Sequence, residues 1–357
     1  MAIDGLVNGF EGGSMHYGDP APNVVVIGGG SGSSMLLRGL KGHTRNLTAI
    51  VTMFDSGGST GLLSREFGYP PLGDLRQCLV ALSNESEANE ALRSAFDFRF
   101  SKDSSLNGHS MGNLMLAALT SLNSDVEGAI EQVSAMLNIS GQVLPVTLQN
   151  ANLCAELEGG MIVHSESEID LRAEDSPSIR RIFLDREVEA NPRAIEAIMD
   201  ADAVVLGPGD LYTSILPNLL ASGIPEALRE TSAPLVYVCN LMTKRGETGG
   251  YRASDFASEI VRYIDGRLLD WVLVNTRPAP GNLLSKYAAE GADPVVFDED
   301  VVAGFTERLI AAPLSSADGK MRHDPARLAE AVLSVMSLDR VNGMQPAADA
   351  AQVTQAL

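Results

Sequence analysis

The stretch VVVIGGGSGSSMLLRGLKG, residues 24–42, sets a glycine- and serine-rich turn directly after an apolar run. Where a strand turns into a helix in this way, the backbone N–H groups of the first helical turn can hold a phosphate or another anion. A dinucleotide fingerprint would have glycines in G-x-G-x-x-G spacing. Gly28 and Gly30 fill two of those places, but Ser33 stands in the third. A Walker-type loop would end in Gly-Lys-Ser/Thr, and no lysine follows until Lys41. Two readings stay open: a general anion site made by the amides of Gly28, Gly29, Gly30, Ser31 and Gly32, or a tight turn with a structural role only.

Other groups of suitable chemistry follow other apolar runs. Asp55 ends LTAIVTMFD, the place where a dinucleotide-binding protein holds ribose hydroxyls. Ser56, Gly57 and Gly58 come next in a second glycine- and hydroxyl-rich loop. Asp74 opens the helical pattern GDLRQCLVAL; as a helix cap it would be ordinary, and with Asp55 it could hold a divalent cation or act as a base. In LGPGDLYTS, Gly207 and Gly209 free the backbone, while Asp210, Tyr212 and Thr213 offer polar groups. The polar loop CNLMTKRGETGGYRASD carries Tyr251, whose ring could stack on a nucleobase. GHSMG, residues 108–112, matches the G-x-S-x-G elbow of serine hydrolases, but the elbow needs a strand before it, and FSKDSSLN is polar. Ser110 therefore reads as a helix cap, His109 as its neighbour, and Asn113 as a first-turn residue facing whatever the loop faces.

These loops act together only if the strands before them are parallel. Residues 23–27, 47–55, 203–207, 234–240, 271–276 and 294–298 are short, mostly apolar runs separated by helical patterns, as expected of strands buried on both faces of a parallel sheet. The fold class is thus α/β, a doubly wound, mostly parallel sheet. A β meander at about 144–185, turning at Gly159-Gly160, interrupts it. Residues 1–22 read as a flexible leader, 23–339 as a single domain, and 340–357 as a tail. The leader has neither the basic start nor the apolar stretch of a secretory signal, and no segment is long enough to span a bilayer. Three scattered cysteines without a CxxC pair suit buried thiols in a reducing compartment. A soluble, cytoplasmic protein is expected, and a homodimer suits a chain of this size.

With 357 residues, 45% of them hydrophobic, the chain can bury a large core. Its formal net charge of −20 repels nucleic acid and anionic membranes. Any anionic ligand has to be held by local devices such as helix N-termini and a few arginines.

Several long motifs in one order carry a resemblance: VVVIGGGSGSSMLLRGLK, FDSGGSTGLLSREFGYPPLGDLRQCLVALS, LNGHSMGNLMLAALT, ADAVVLGPGDLYTSILPNLL, VYVCNLMTKRGETGGY and KYAAEGADPV. The chain resembles the family of 2-phospho-L-lactate transferase (CofD) and the YvcK-type gluconeogenesis factors. That resemblance implies a Rossmann-like fold with one nucleotide-linked small molecule in the sheet-end crevice. The transferase branch moves a phospholactyl group from a guanosine diphospho-lactate donor to a deazaflavin with Mg2+. The YvcK-type branch looks like a sensor of UDP-sugars such as UDP-N-acetylglucosamine, needing no cofactor and supporting central carbon metabolism and cell-wall synthesis. FDSGGSTGLLSREFGYPPLGD is similar to the YvcK-type pattern, with Ser56 where a second Asp usually stands. The resemblance favours a UDP-sugar-binding regulator, with Asp55 and Asp74 catalytic only if the chain is a transferase. An NAD-dependent oxidoreductase is disfavoured by the missing third glycine.

Overall fold

The computed structural model describes residues 21–101, 105–316 and 319–343. Ten strands make two sheets: β1 (Val24–Gly28), β2 (Leu47–Val51), β3 (Gln142–Pro145), β4 (Leu153–Leu157), β5 (Ile162–His164), β6 (Ile179–Leu184), β7 (Ala203–Leu206), β8 (Leu235–Val238), β9 (Leu269–Asn275) and β10 (Thr306–Ala312). The larger sheet has seven strands in the order β10-β9-β8-β7-β1-β2-β3, with every neighbouring pair parallel. The smaller is antiparallel, in the order β5-β4-β6.

The chain moves outward from β1 to β3 on one side, then returns to β1's other flank with β7 and moves outward again. Val26 pairs in register with Ala49 of β2 and Val205 of β7. Connections leave β1 and β7 in opposite directions, which opens a crevice at their carboxyl ends, the place where ligands bind in such sheets.

Burial explains the strand sequences. Every residue of β1, β2, β7 and β8 is buried, because helices cover both faces and no alternation of polar side chains is tolerated. In chain order the early helices are α1 (Gly30–Leu40), α2 (Gly58–Phe67), α3 (Gly73–Leu82), α4 (Glu87–Asp97), α5 (Met111–Asn123), α6 (Val126–Leu137) and α7 (Glu166–Asp170). Leu36, Leu37 and Leu40 of α1 are fully buried, and α1 packs against both α3 and the last helix, Pro325–Gly343. That helix runs into the region read as a tail, whereas the leader, up to residue 20, lies outside the described residues. The three cysteines are free and buried. No helix among the described residues is long and apolar enough to cross a membrane.

Two boundaries differ from the sequence reading. Residues 294–298 are not a strand of the sheet: they lie extended across the loops after β8, with Val295 N–H on the Leu241 carbonyl and Ala253 N–H on the Val296 carbonyl. The seventh strand is instead β10, TERLIAA, an edge strand whose Glu307 is exposed. Its half-polar face hides it from an argument based on apolar runs. Leu144 and Pro145 belong to β3 of the main sheet, so the insertion begins later, at β4.

Replacing Leu37 with Ala removes a fully buried side chain from the centre of the α1 layer. The expected cost is about 2–5 kcal/mol, read as a lower urea midpoint with an unchanged slope.

Candidate functional site

The first turn brings backbone against backbone. Gly30 has φ +66, a left-handed conformation that glycine adopts without strain. Gly32 is pressed on the second turn: a Cβ there would lie 2.3 Å from the Pro208 carbonyl oxygen and 3.1 Å from the Gly209 nitrogen. Ser33 strengthens the seam, its hydroxyl donating to the Pro208 carbonyl at 3.4 Å. Thus the turns after β1 and β7 share one seam, and a cavity of about 210 Å³ opens beside it. Residues 29–32 form one wall, residues 208–210 with Ser214 the second, and residues 240–242 and 321–323 the far side. Gly207, also left-handed at φ +81, starts the second turn. A larger hollow of about 490 Å³ lies at the opposite end of the sheet, where Arg45 and Arg193 share the wall with Glu196 and Asp200; no glycine turn of the crevice reaches it.

Asp74, from the first turn of α3, reaches under the first turn. It accepts a hydrogen bond from the Gly30 backbone N–H, and a Cβ on Gly29 would meet its Oδ2 at 2.3 Å. The cap position itself is Leu72. Asp74 therefore occupies one of the amides that an incoming anion would use. Desolvation by the surrounding protein, followed by the neighbouring charge of Asp55, pushes its pKa up to about 7.

The second glycine loop is engaged from the other side by the insertion. Gly57 N–H donates to Asp55 Oδ1 at 2.8 Å. Ser56 N–H donates to Glu166 Oε2 at 3.2 Å, and Ser167 N–H donates to the Ser56 hydroxyl at 2.9 Å. Gly58 is the first residue of α2, with φ +47. The carboxyls of Asp55 and Glu166 are close neighbours, and each disfavours the charged form of the site they share. Burial raises both pKa values, Glu166 to about 8, and for Glu166 the charge of Asp55 adds to the effect. Glu166 was invisible in the sequence because it sits in SESE, an unremarkable acidic run inside the insertion.

The other candidates, Asp210 excepted, are placed away from the cavity. Asn113 is buried behind α2, its Oδ1 accepting from Arg76 Nε at 3.1 Å and its amide donating to Ser59 and Thr60. Ser110 caps α5, its hydroxyl accepting from Asn113 N–H at 3.2 Å, and His109 Nδ1 lies 2.9 Å from the Ser59 hydroxyl. Tyr212 and Thr213 are buried in the π-helical turn Leu211–Ile215. The Tyr212 hydroxyl meets that of Tyr251 at 2.7 Å, and the Tyr251 ring packs edge-on against Tyr212 and Phe256. Tyr251 thus braces the second turn from behind. Asp210 is on the cavity wall but paired with Lys244 at 2.6 Å, and Lys244 also bonds Asp170 of α7 and Glu247.

Residues 321–323, absent from the sequence reading, complete the cavity. A signal for them exists. Asp324 and Pro325 form a helix start, Asp324 Oδ1 accepting from Ala326 N–H at 3.0 Å. The residues before such a start and after a strand belong to the same sheet edge, once β10 is known to be a strand.

Gly32→Ala is expected to force the two turns apart, lowering the thermal midpoint by several degrees, at roughly 2–4 °C per kcal/mol for a chain of this size; an unchanged midpoint would show that the seam yields freely. Asp74 holds in the folded state a proton that the unfolded chain releases above 3.8. Its contribution to stability is therefore full below about 4 and is lost as pH rises through about 7. Asp74→Asn keeps an oxygen for Gly30 N–H and should flatten the fall in urea midpoint across that window.

Comparison with known proteins supports one assignment. The family model for 2-phospho-L-lactate transferase CofD matches residues 24–315. A protein of Halalkalibacterium halodurans named "Gluconeogenesis factor" is 42% identical over 313 residues, covering 87% of this chain and 95% of that one. A namesake from Bacillus subtilis strain 168 is 40% identical over 317 residues, covering 88% and 98%. A crystal structure of a UPF0052-family protein from Bacillus halodurans superimposes with a TM-score of 0.83 at 41% identity, covering 88% of this chain and all of that one. With its seven-stranded parallel sheet and its long match to these proteins, the chain belongs to the CofD family, on the side of its gluconeogenesis-factor, YvcK-type members.

Proposed function

We propose that the protein is a regulatory binder of UDP-sugars of the UDP-N-acetylglucosamine type, linking central carbon metabolism to cell-wall synthesis. The observation that carries this reading is the cavity between the two backbone turns at the carboxyl ends of β1 and β7. Amides of residues 29–32 at the start of an 11-residue helix suit a diphosphate, even on a chain of net charge −20. The names of the relatives agree with a role in carbon metabolism.

A second reading, a phospholactyl-type transferase, is favoured by the carboxyls of Asp55, Asp74 and Glu166 beside the turns. With all three pKa values raised by burial, that of Asp74 to about 7 and that of Glu166 to about 8, such groups suit proton transfer from an acceptor hydroxyl. Among the described residues no group of three or more His, Cys, Asp or Glu is arranged to hold a metal ion. In this reading magnesium would be held by one or two of these carboxylates together with the donor's phosphates, and the protein's own share is orientation and proton transfer.

Calorimetric titration with UDP-N-acetylglucosamine, GDP and NAD, each with and without magnesium, separates the readings. Metal-independent UDP-sugar binding is expected; magnesium-dependent binding of GDP alone would replace the sensor with the transferase.

A further inference from the structure

The hollow of about 490 Å³ lies at the amino ends of β1, β2 and β3, away from the crevice turns. Its volume is in the range of small-molecule sites. One wall is a face of the helix Pro192–Met199, where Arg193, Glu196 and Ala197 recur at helical spacing and Asp200 follows as the cap. Ala194 and Ile198 of the same helix are fully buried, which leaves the charged face to the hollow. Arg45, just ahead of β2, adds a second wall, and Val24, Val25 and Leu47 give an apolar lining.

The polar groups here divide into those already engaged and those that are not. Arg193 is taken up, its Nη1 pairing with Glu131 at 3.2 Å and Glu127 at 3.5 Å and its Nη2 donating to Gln142 Oε1 at 3.5 Å. Gln142 Nε2 in turn donates to the buried Thr48 Oγ1 at 2.9 Å. Gly141 sets the start of β3 against β2: a Cβ there would lie 2.4 Å from the Leu47 carbonyl oxygen. The lining is therefore fixed before any ligand arrives. By contrast, among the described residues the Arg45 guanidinium and the carboxylates of Glu196 and Asp200 have neither a hydrogen-bond nor an ion-pair partner. Asp200 N–H donates to the Glu196 carbonyl, so these two acids sit one helical turn apart, with side chains about 6 Å from each other.

We propose that this hollow is a binding site for a small amino acid with two ammonium groups, of the lysine or ornithine type, its carboxylate pairing with Arg45 and its ammonium groups with Glu196 and Asp200. One unpaired cation and two unpaired anions around a cavity are the complement of such a molecule. A simple anion would face both carboxylates, and a plain diamine would leave Arg45 beside a like charge. The net charge of −20 draws a ligand of net positive charge from a distance. Because no residue of the crevice lines this hollow, the proposal is independent of what the crevice holds.

The test is calorimetric titration at low ionic strength with L-lysine and with cadaverine, the same chain without the carboxylate, on the wild type, Arg45→Ala, Glu196→Gln, Asp200→Asn and Glu66→Gln. Glu66 is exposed on α2, outside the hollow, so its substitution changes net charge as the other acid substitutions do. Lysine should bind the wild type, weaken by roughly three- to fivefold in each of the three hollow variants, and weaken by less than about 1.5-fold in Glu66→Gln. Cadaverine should bind more weakly than lysine and be indifferent to the loss of Arg45. The proposal is overturned if millimolar lysine gives no saturable heat, if Glu66→Gln weakens lysine as much as the hollow variants do, or if cadaverine binds as tightly as lysine.

Discussion

The site depends on a contact between two stretches of main chain: the α-carbon of Gly32 against the carbonyl of Pro208. A parallel sheet that reverses its winding direction between β1 and β7 leaves two loops facing each other at the carboxyl ends of those strands. Whether they make a crevice or a loose gap is decided by how closely they approach. Only a residue without a Cβ allows the first turn of α1 to sit on the second loop, and this approach gives the cavity its floor. The glycine spacing of a dinucleotide fingerprint is incomplete because Ser33 serves the seam instead, its hydroxyl reaching Pro208.

Electrostatically the crevice is a compromise. The helix N-terminus favours an anion, yet the chain already places one beneath it, the carboxyl of Asp74 on the Gly30 amide. Burial raises the pKa of that carboxyl towards neutrality and so limits how much negative charge it holds there. The acidic groups beside the second loop are treated in the same way, burial raising the pKa values of both Asp55 and Glu166. A strongly anionic protein can thus keep a pocket in which a phosphate is not simply repelled.

The sheet was largely legible because its central strands are apolar throughout, and a strand buried on both faces has no other composition available. β10 was not, since Glu307 and Arg308 on an edge strand break the apolar run, while residues 294–298 imitate one in a segment that only crosses loops. The glycine turns and Asp74 could be located from spacing alone. The burial of Tyr212 and the bracing role of Tyr251 could not, because a tyrosine in a polar loop looks the same whether it faces solvent or a neighbouring ring. Glu166 and residues 321–323 reach the crevice through long-range topology, which local pattern does not encode.

The five-residue helix α7 has a position out of proportion to its length. Through Glu166 and Ser167 it grips the loop after β2, and through Asp170 it touches Lys244 of the loop after β8. One short element carried on a hairpin therefore straps together the two halves of the molecule that flank the crevice. The two loops are thus tied to each other outside the sheet as well as through it, so a substitution in a peripheral hairpin alters how they are held together and leaves the strands beneath untouched.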